Sequence, residues 1–380
     1  MPTQPFQKPL LPSHYSVWFE PPDEAGDEVL RVVSERRSIK LKGHSFREFH
    51  QRVIPLLDGR HTLEQIQQET ADVFRPEDLS AALQMLGDQG VLADAEVDGL
   101  SEEVAERIEP QLNYFHEMTE EGRDLQSKLS NASVAVVGLG GAGASTALAL
   151  AAAGVGELRC IDPNPVAASD IYISPFYDLS QVGSGRAETL VRKVQASAPQ
   201  VKALGVEQRL DSEDAVREAV AGADFTVCCL DSGEVNFAYK LNRVCLDDGL
   251  RWIACSLAGG EVTVGPAMHP GDSPCYMCYR MRAVACAGNP EAAFDFEKYL
   301  DRRKKDDSPH RENLVFGAGI AANLLGMETL KELTGMAEPS LVGRILTVGL
   351  ADLGIHRHTV LRKPWCPACY KQPEAAAHAG

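Results

Sequence analysis

An α/β domain built on a parallel sheet, preceded by a small α+β module of the winged helix-turn-helix kind, is the fold class that this sequence predicts. From Asn131 onward, short apolar runs alternate with helical patterns, as a parallel sheet with crossover helices requires. A glycine-rich turn sits between the first of those runs and the first of those helices. Residues 1–93 instead carry three β-branched runs followed by three helical segments.

In the first zone, His14–Phe19, Glu28–Val33 and Ser38–Leu41 read as strands. Helical patterns follow at Phe46–Leu57, stopped by Asp58-Gly59, and at Leu63–Val73, with Thr62 as N-cap. A third starts at Pro76 and runs to Gly87, with Leu79, Leu83 and Leu86 on one face. Residues 94–130 read as an acidic linker that becomes a helix over Gln111–Leu129. Residues 131–380 form the α/β domain. Its strands are Val134–Val137, Glu157–Ile161, Val201–Val206, Asp224–Cys229 and Arg251–Cys255, and its helices include Ala142–Ala153 and Arg186–Ala198. Ala283–Arg311 is polar and weakly periodic, which predicts a mobile loop over a functional face.

Length and charge bound the function. A chain of 380 residues suggests two or three domains. Hydrophobic residues make up 44% and charged residues 24%, so each domain can bury a core. The net charge of −17 argues against nucleic acid, whose binders need a basic face. No apolar run is long enough to cross a membrane. The first residues lack a charged-then-apolar signal pattern, which places the chain in the cytoplasm.

Ser133–Ser145 (SVAVVGLGGAGAS) carries the first chemical motif. A strand ends at Gly138, and Gly140, Gly141 and Gly143 open a helix, so backbone N–H groups can approach a phosphate. Asp162, 24 residues after Gly138, stands where an acid accepts ribose hydroxyls. A tight strand–helix turn without a ligand fits the same residues.

Two C-x-x-C knuckles form the second motif. Cys275 and Cys278 precede Cys366 and Cys369, with 87 residues between the two knuckles. Four thiolates at this spacing suit a structural Zn²⁺ with no open position, and a redox pair is the alternative. Cys160, Cys228, Cys229, Cys245 and Cys255 lie in apolar runs and read as core. Cys286 borders the polar loop, as a plain loop cysteine or as a thioester-forming nucleophile.

Residues 109–370 resemble the ThiF/MoeB-type activating enzymes, relatives of ubiquitin-activating enzyme. The glycine loop, Asp162, Asp231 in VCCLDS and the two knuckles carry the likeness. It implies a Rossmann-like nucleotide-binding domain, ATP at the glycine loop, Mg²⁺ beside Asp231, and a homodimer. Asn164, Asp170 and Ile173 stand where the family has a second acid, an asparagine and an arginine, and Arg186 stands where it has a lysine. Leu112, Asn113 and Tyr114 occupy the place of its arginine-rich helix, with Arg123 further on.

The first module, the phrase LLDGRHTLEQI and the ending HTVLRKPWCPACY resemble the leader-peptide-binding partners of azoline-forming cyclodehydratases, which act on ribosomally made peptides. That likeness implies a leader peptide added beside the third strand, near Ser38, Ile39, Lys40, Leu41 and Lys42, with Leu79 and Leu83 of the third helix alongside. Edge-strand addition supplies the physics. A DNA-reading winged helix should be basic, yet residues 1–100 hold 10 Lys plus Arg against 17 Asp plus Glu.

The first functional expectation is a maturation protein that holds a precursor by its leader and presents the core peptide to a YcaO-type cyclodehydratase. The alternative is a stand-alone ATP/Mg²⁺-dependent enzyme that activates a carboxylate or amide of its bound precursor, with Asp231 and Arg186 in catalysis. A transcription factor is the third and weakest option.

Overall fold

The computed structural model describes residues 6–21, 28–96, 100–119, 122–229, 235–258, 260–302 and 314–370. The chain divides into two compact units, residues 1–128 and 129–380.

Unit 1 begins with a short ribbon, β1 (Pro9–Leu10), which pairs antiparallel with β5 (Ala93–Asp94). Between them come β2 (Ser16–Glu20), β3 (Glu28–Val33) and β4 (Ser38–Gly43), then α1 (Phe46–Arg52), α2 (Leu63–Glu69) and α3 (Pro76–Asp88). The three strands form an antiparallel sheet in the order β2-β3-β4, with Leu30 opposite Leu41 and Arg31 opposite Lys40. Alternation along β3 and β4 sends Leu30, Val32 and Leu41 into a core with Phe49, Ile66, Leu79, Leu83 and Leu86. The Phe46–Leu57 segment is not one helix. Pro55 lacks a backbone donor, so α1 ends at Arg52 and a 3₁₀ turn covers Ile54–Leu56. Thr62 and Gln65 close a reciprocal capping box at the start of α2.

Two helices follow, α4 (Glu102–Arg107) and α5 (Glu109–Met118), and α6 (Gly122–Ser130) crosses into unit 2. The helix expected over Gln111–Leu129 is therefore interrupted, with extended backbone at Thr119.

The Gly90 carbonyl ties α5 to the sheet module. It accepts Tyr15 Oη at 3.1 Å, the Arg37 guanidinium, and His116 Nε2 at 3.0 Å. Burial pushes the His116 imidazole down to about 4, and the charges of Arg37 and His14 push the same way. Its ordinary value is 6.5, so between pH 6.5 and 4 the unfolded chain binds the proton and the folded chain does not. Stability from this group is complete above pH 6.5 and falls by about 3 kcal/mol as pH drops to 4. Urea unfolding at pH 7 and pH 5 should show about 2 kcal/mol of that loss, and His116→Phe should remove it.

Unit 2 is a single mixed sheet with helices on both faces. In chain order it comprises β6 (Ser133–Val137), α7 (Gly141–Ala152), β7 (Glu157–Ile161), α8 (Asp170–Ile173), α9 (Arg186–Ser197), β8 (Lys202–Val206), α10 (Glu213–Val220), β9 (Phe225–Cys228) and α11 (Val235–Asp248). Then come β10 (Trp252–Ala258), β11 (Glu261–Met268), α12 (Tyr276–Ala285), α13 (Pro290–Arg302), α14 (Val315–Thr334), β12 (Arg344–Gly349) and β13 (Ile355–Thr359). The strand order is β13-β12-β11-β10-β9-β6-β7-β8. Strands β10, β9, β6, β7 and β8 run parallel, and β11 to β13 are added antiparallel.

Val134 to Val137 are all buried, as a central strand covered on both faces requires. Small residues let α7 and α14 approach closely, with Ala144 and Ala147 on one helix and Gly317, Ala318 and Ala321 on the other. Residues 283–302 do not form the loop expected from sequence. They end α12 and form α13, whose Phe294, Phe296 and Tyr299 are about half exposed. Residues 303–313 lie outside the described residues. Among the described residues, no helix is long and apolar enough to cross a membrane.

Candidate functional site

The chain leaves β6 in the middle of the parallel strands, with β7 on one side and β9 on the other. Connections diverge here, and a crevice opens at the carboxyl ends of the strands in folds of this class. The glycine loop sits at this point. Gly138 has a φ of 83°, a left-handed conformation that glycine adopts without strain. A Cβ on Gly143 would overlap the Gly138 carbonyl, and one on Gly141 would overlap the Ile173 carbonyl. Both glycines thus serve close backbone packing, and together they place the first turn of α7 at the crevice.

Asp162, immediately after β7, is the keystone. Its Oδ2 accepts the Leu139 N–H of the loop at 2.8 Å, and its Oδ1 accepts both the N–H and the Nδ2 of Asn164 at 2.9 Å. Tyr177 donates its hydroxyl to the Leu139 carbonyl at 2.8 Å and locks the loop from the other side. Arg186 opens α9 and reaches back to the same place. Its Nε and Nη2 each bond Asp170 at 2.8 Å, and its Nη1 bonds Asp162 at 3.2 Å. Burial would lower the guanidinium pKa, but the two carboxylates outweigh it and hold it above the ordinary value. Arg186 is therefore an internal counter-ion as the structure stands. Asn164 and Asp170 were matched from the sequence to family positions without a role of their own, and Tyr177 was not expected at the site. Tyr177 sits in a stretch whose sequence carries no periodic or spacing signal, so only the fold brings it to the loop.

Asp231 lies outside the described residues. Beside the crevice, Cys229 follows β9 and is fully buried, and hydrogen bonding to Cys255 together with burial holds its thiol well above the ordinary range. Cys160 is pushed up to about 12 by burial alone. Neither is a nucleophile in this state. Cys286 caps the end of α12 and is exposed.

The four knuckle cysteines converge. Cys275 Sγ lies 3.9 Å from Cys278 Sγ and 3.8 Å from Cys366 Sγ, and Cys278 Sγ lies 3.6 Å from Cys369 Sγ. All four sulfurs fall within 4.8 Å of one another. A tetrahedron with metal–sulfur bonds of about 2.3 Å has edges of about 3.8 Å, so this set could hold a metal ion. Lys363 N–H points at Cys278 Sγ, 3.4 Å away, where it would steady the sulfur's negative charge.

In unit 1, the outer strand β4 pairs only with β3 among the described residues. Ser38, Lys40 and Lys42 are exposed, and Ile39 is partly so. Lys40 forms an ion pair with Glu20 at 3.0 Å. Leu41, Leu79 and Leu83 belong to the hydrophobic core, with Leu79 and Leu83 each 1% exposed. For Leu41 this is the core-facing arrangement, and the hydrophobic spacing on α3 likewise reports the core.

The ThiF family model matches residues 109–368. The chain is 28% identical over 256 residues to the sulfur carrier protein adenylyltransferase of Thermus thermophilus, covering 66% of this chain and 87% of that one. It is 30% identical over 257 residues to the SAMP-activating enzyme E1 of Haloferax volcanii, covering 66% and 85%. In structure it is similar to E. coli MccB, with a TM-score of 0.64 at 16% identity over 95% of this chain and 99% of MccB. It is also similar to PaaA, with a TM-score of 0.64 at 21% identity over 80% and 97%. The structural likenesses establish a shared fold. The family match spans more than half of the sequence, and this chain belongs to the ThiF family.

Proposed function

We propose that this protein matures a ribosomally made precursor peptide. Unit 1 captures the leader as a strand added to β4, and the ThiF unit uses ATP and Mg²⁺ to activate a carboxylate or amide of the held peptide by adenylyl transfer. One observation carries the proposal: a small sheet with an open outer strand is joined in one chain to a ThiF unit whose glycine loop sits at the strand switch point. The relatives support the chemistry, since several of them are named adenylyltransferases or an activating enzyme. MccB supports the substrate class. It is a microcin C7 biosynthetic enzyme solved with ATP and with N-formylated MccA, and a formyl group marks a freshly translated chain.

In this proposal the first turn of α7 meets phosphate with its N–H groups, and Asp231 holds the Mg²⁺. Leader capture raises the effective concentration of the reacting group, so modest affinity suffices. The small module is taken as a winged helix-turn-helix recognition element, in which Ser38, Lys40 and Lys42 face the guest. The metal at the four cysteines is taken as zinc. With every position filled by sulfur, it would pin the C-terminal knuckle to α12 and leave no site for chemistry. The protein is taken as a homodimer.

A second reading rests on Arg186. The cation beside the loop is already neutralised, which favours a presenting protein that hands the peptide to a YcaO-type cyclodehydratase. Purified protein plus its precursor decides between the two. ATP consumption by that pair alone, lost in Asp231→Ala, supports adenylation. Consumption only after the cyclodehydratase is added supports presentation. Equal processing of a leaderless core peptide would contradict leader capture in either case.

A further inference from the structure

We infer that Asp170 is a specificity-determining residue of the glycine-loop crevice: by holding Arg186 it suppresses the preference of the crevice for a polyphosphate over a bare nucleoside. This rests on the proposal that the loop takes a nucleotide. Between Cys160 and Val191 the sequence holds one basic residue, Arg186, and the loop itself, residues 138–145, holds none. The guanidinium meets Asp170 through two parallel bonds of 2.8 Å, the bidentate geometry in which Arg also grips phosphate. Carboxylate and phosphate are therefore competitors for one fork.

Charge sharpens the competition. Among the described residues two carboxylates face this guanidinium, and the side chains of Asp162, Asp170 and Arg186 are 4%, 3% and 10% exposed. These three side chains together carry a buried net negative charge. The cluster is bonded directly to the loop through Asp162 and Leu139. A triphosphate entering at α7 is repelled by that charge at short range, where water screens little. The uncharged adenosine is not. Asp170 also accepts the Ala167 N–H at 2.9 Å, a bond that an asparagine oxygen can keep. Asp170→Asn therefore removes the charge and weakens the hold on Arg186 while retaining this local turn.

The test is calorimetric titration of the full-length protein with ATP-Mg²⁺ and, separately, with adenosine. Asp170→Asn should bind ATP about tenfold more tightly and leave adenosine within about twofold. Asp170→Glu, which keeps the charge, should retain the wild-type ratio of the two affinities. Should Asp170→Asn fail to fold, Asp170→Ser carries the same expectation. An unchanged or reduced ATP-to-adenosine ratio in the neutral variants, with adenosine bound, overturns the role of Asp170 alone. Failure of every form to bind either ligand overturns the nucleotide reading and this inference with it.

Discussion

Replacing Cys366 with serine is expected to lower the melting temperature of the protein by about 10 °C and to reduce bound metal well below about one equivalent per chain. The four sulfurs lie at the edge lengths of a metal-centred tetrahedron, and they join two parts of the chain 87 residues apart in sequence. Arg282 and Arg362 add bonds between these parts, from Arg282 to the Leu361 and Arg362 carbonyls and from Arg362 to the Gly271 and Ser273 carbonyls. Cys275, Cys278 and Cys366 form their own small cluster, packed against Leu246, Met277, Ala368 and Cys369. Four thiolates brought together without a cation would repel one another, so the knuckle needs its ion to close. Structural zinc contributes on the order of 10 kcal/mol in small peptides, and losing one of four ligands should cost at least about 3 kcal/mol here. A chelator should reproduce the loss in the wild-type protein and add little in the variant. Unchanged metal content and melting temperature in Cys366→Ser would exclude a tetrathiolate site.

Local chemistry made much of this molecule readable before its structure. The glycine loop announces itself because backbone crowding at Gly141 and Gly143 admits no side chain. The knuckles do so because metal geometry fixes their spacing. The central parallel strands β6 and β9 show as continuous apolar runs because both of their faces are covered. The antiparallel strands β11 to β13 were missed. The five residues of β13 are all exposed, so burial writes no pattern into them. Helix α13 was missed because its aromatic residues face outward among charges. The Asp170–Arg186 pair was equally invisible, since sixteen residues separate the partners and only the tertiary fold joins them. The leucine stripe of α3 was legible for the same reason as the central strands: Leu79 and Leu83 are buried in the core of their module.

Removing the charge of Arg186 should be among the most damaging single changes in the ThiF unit. In Arg186→Met the carboxylates of Asp162 and Asp170 stay buried while their shared counter-ion is gone, a situation that costs about 3–5 kcal/mol. The melting temperature should fall by about 10 °C. The loss reaches the crevice because Asp162 is also the acceptor for the Leu139 N–H, so a disturbed Asp162 loosens the glycine loop. Lysine at this position keeps the charge but cannot bond both oxygens of Asp170, and Arg186→Lys should lie between the two. A double-mutant cycle separates the pair from its surroundings. If Asp170 and Arg186 exist chiefly for each other, the Asp170→Asn/Arg186→Met double variant should be less destabilised than the sum of the single changes, by about 1–3 kcal/mol in chemical denaturation. Strict additivity would mean that Arg186 draws its stability from Asp162 and the loop, and the competition between Asp170 and phosphate would then lose its physical basis.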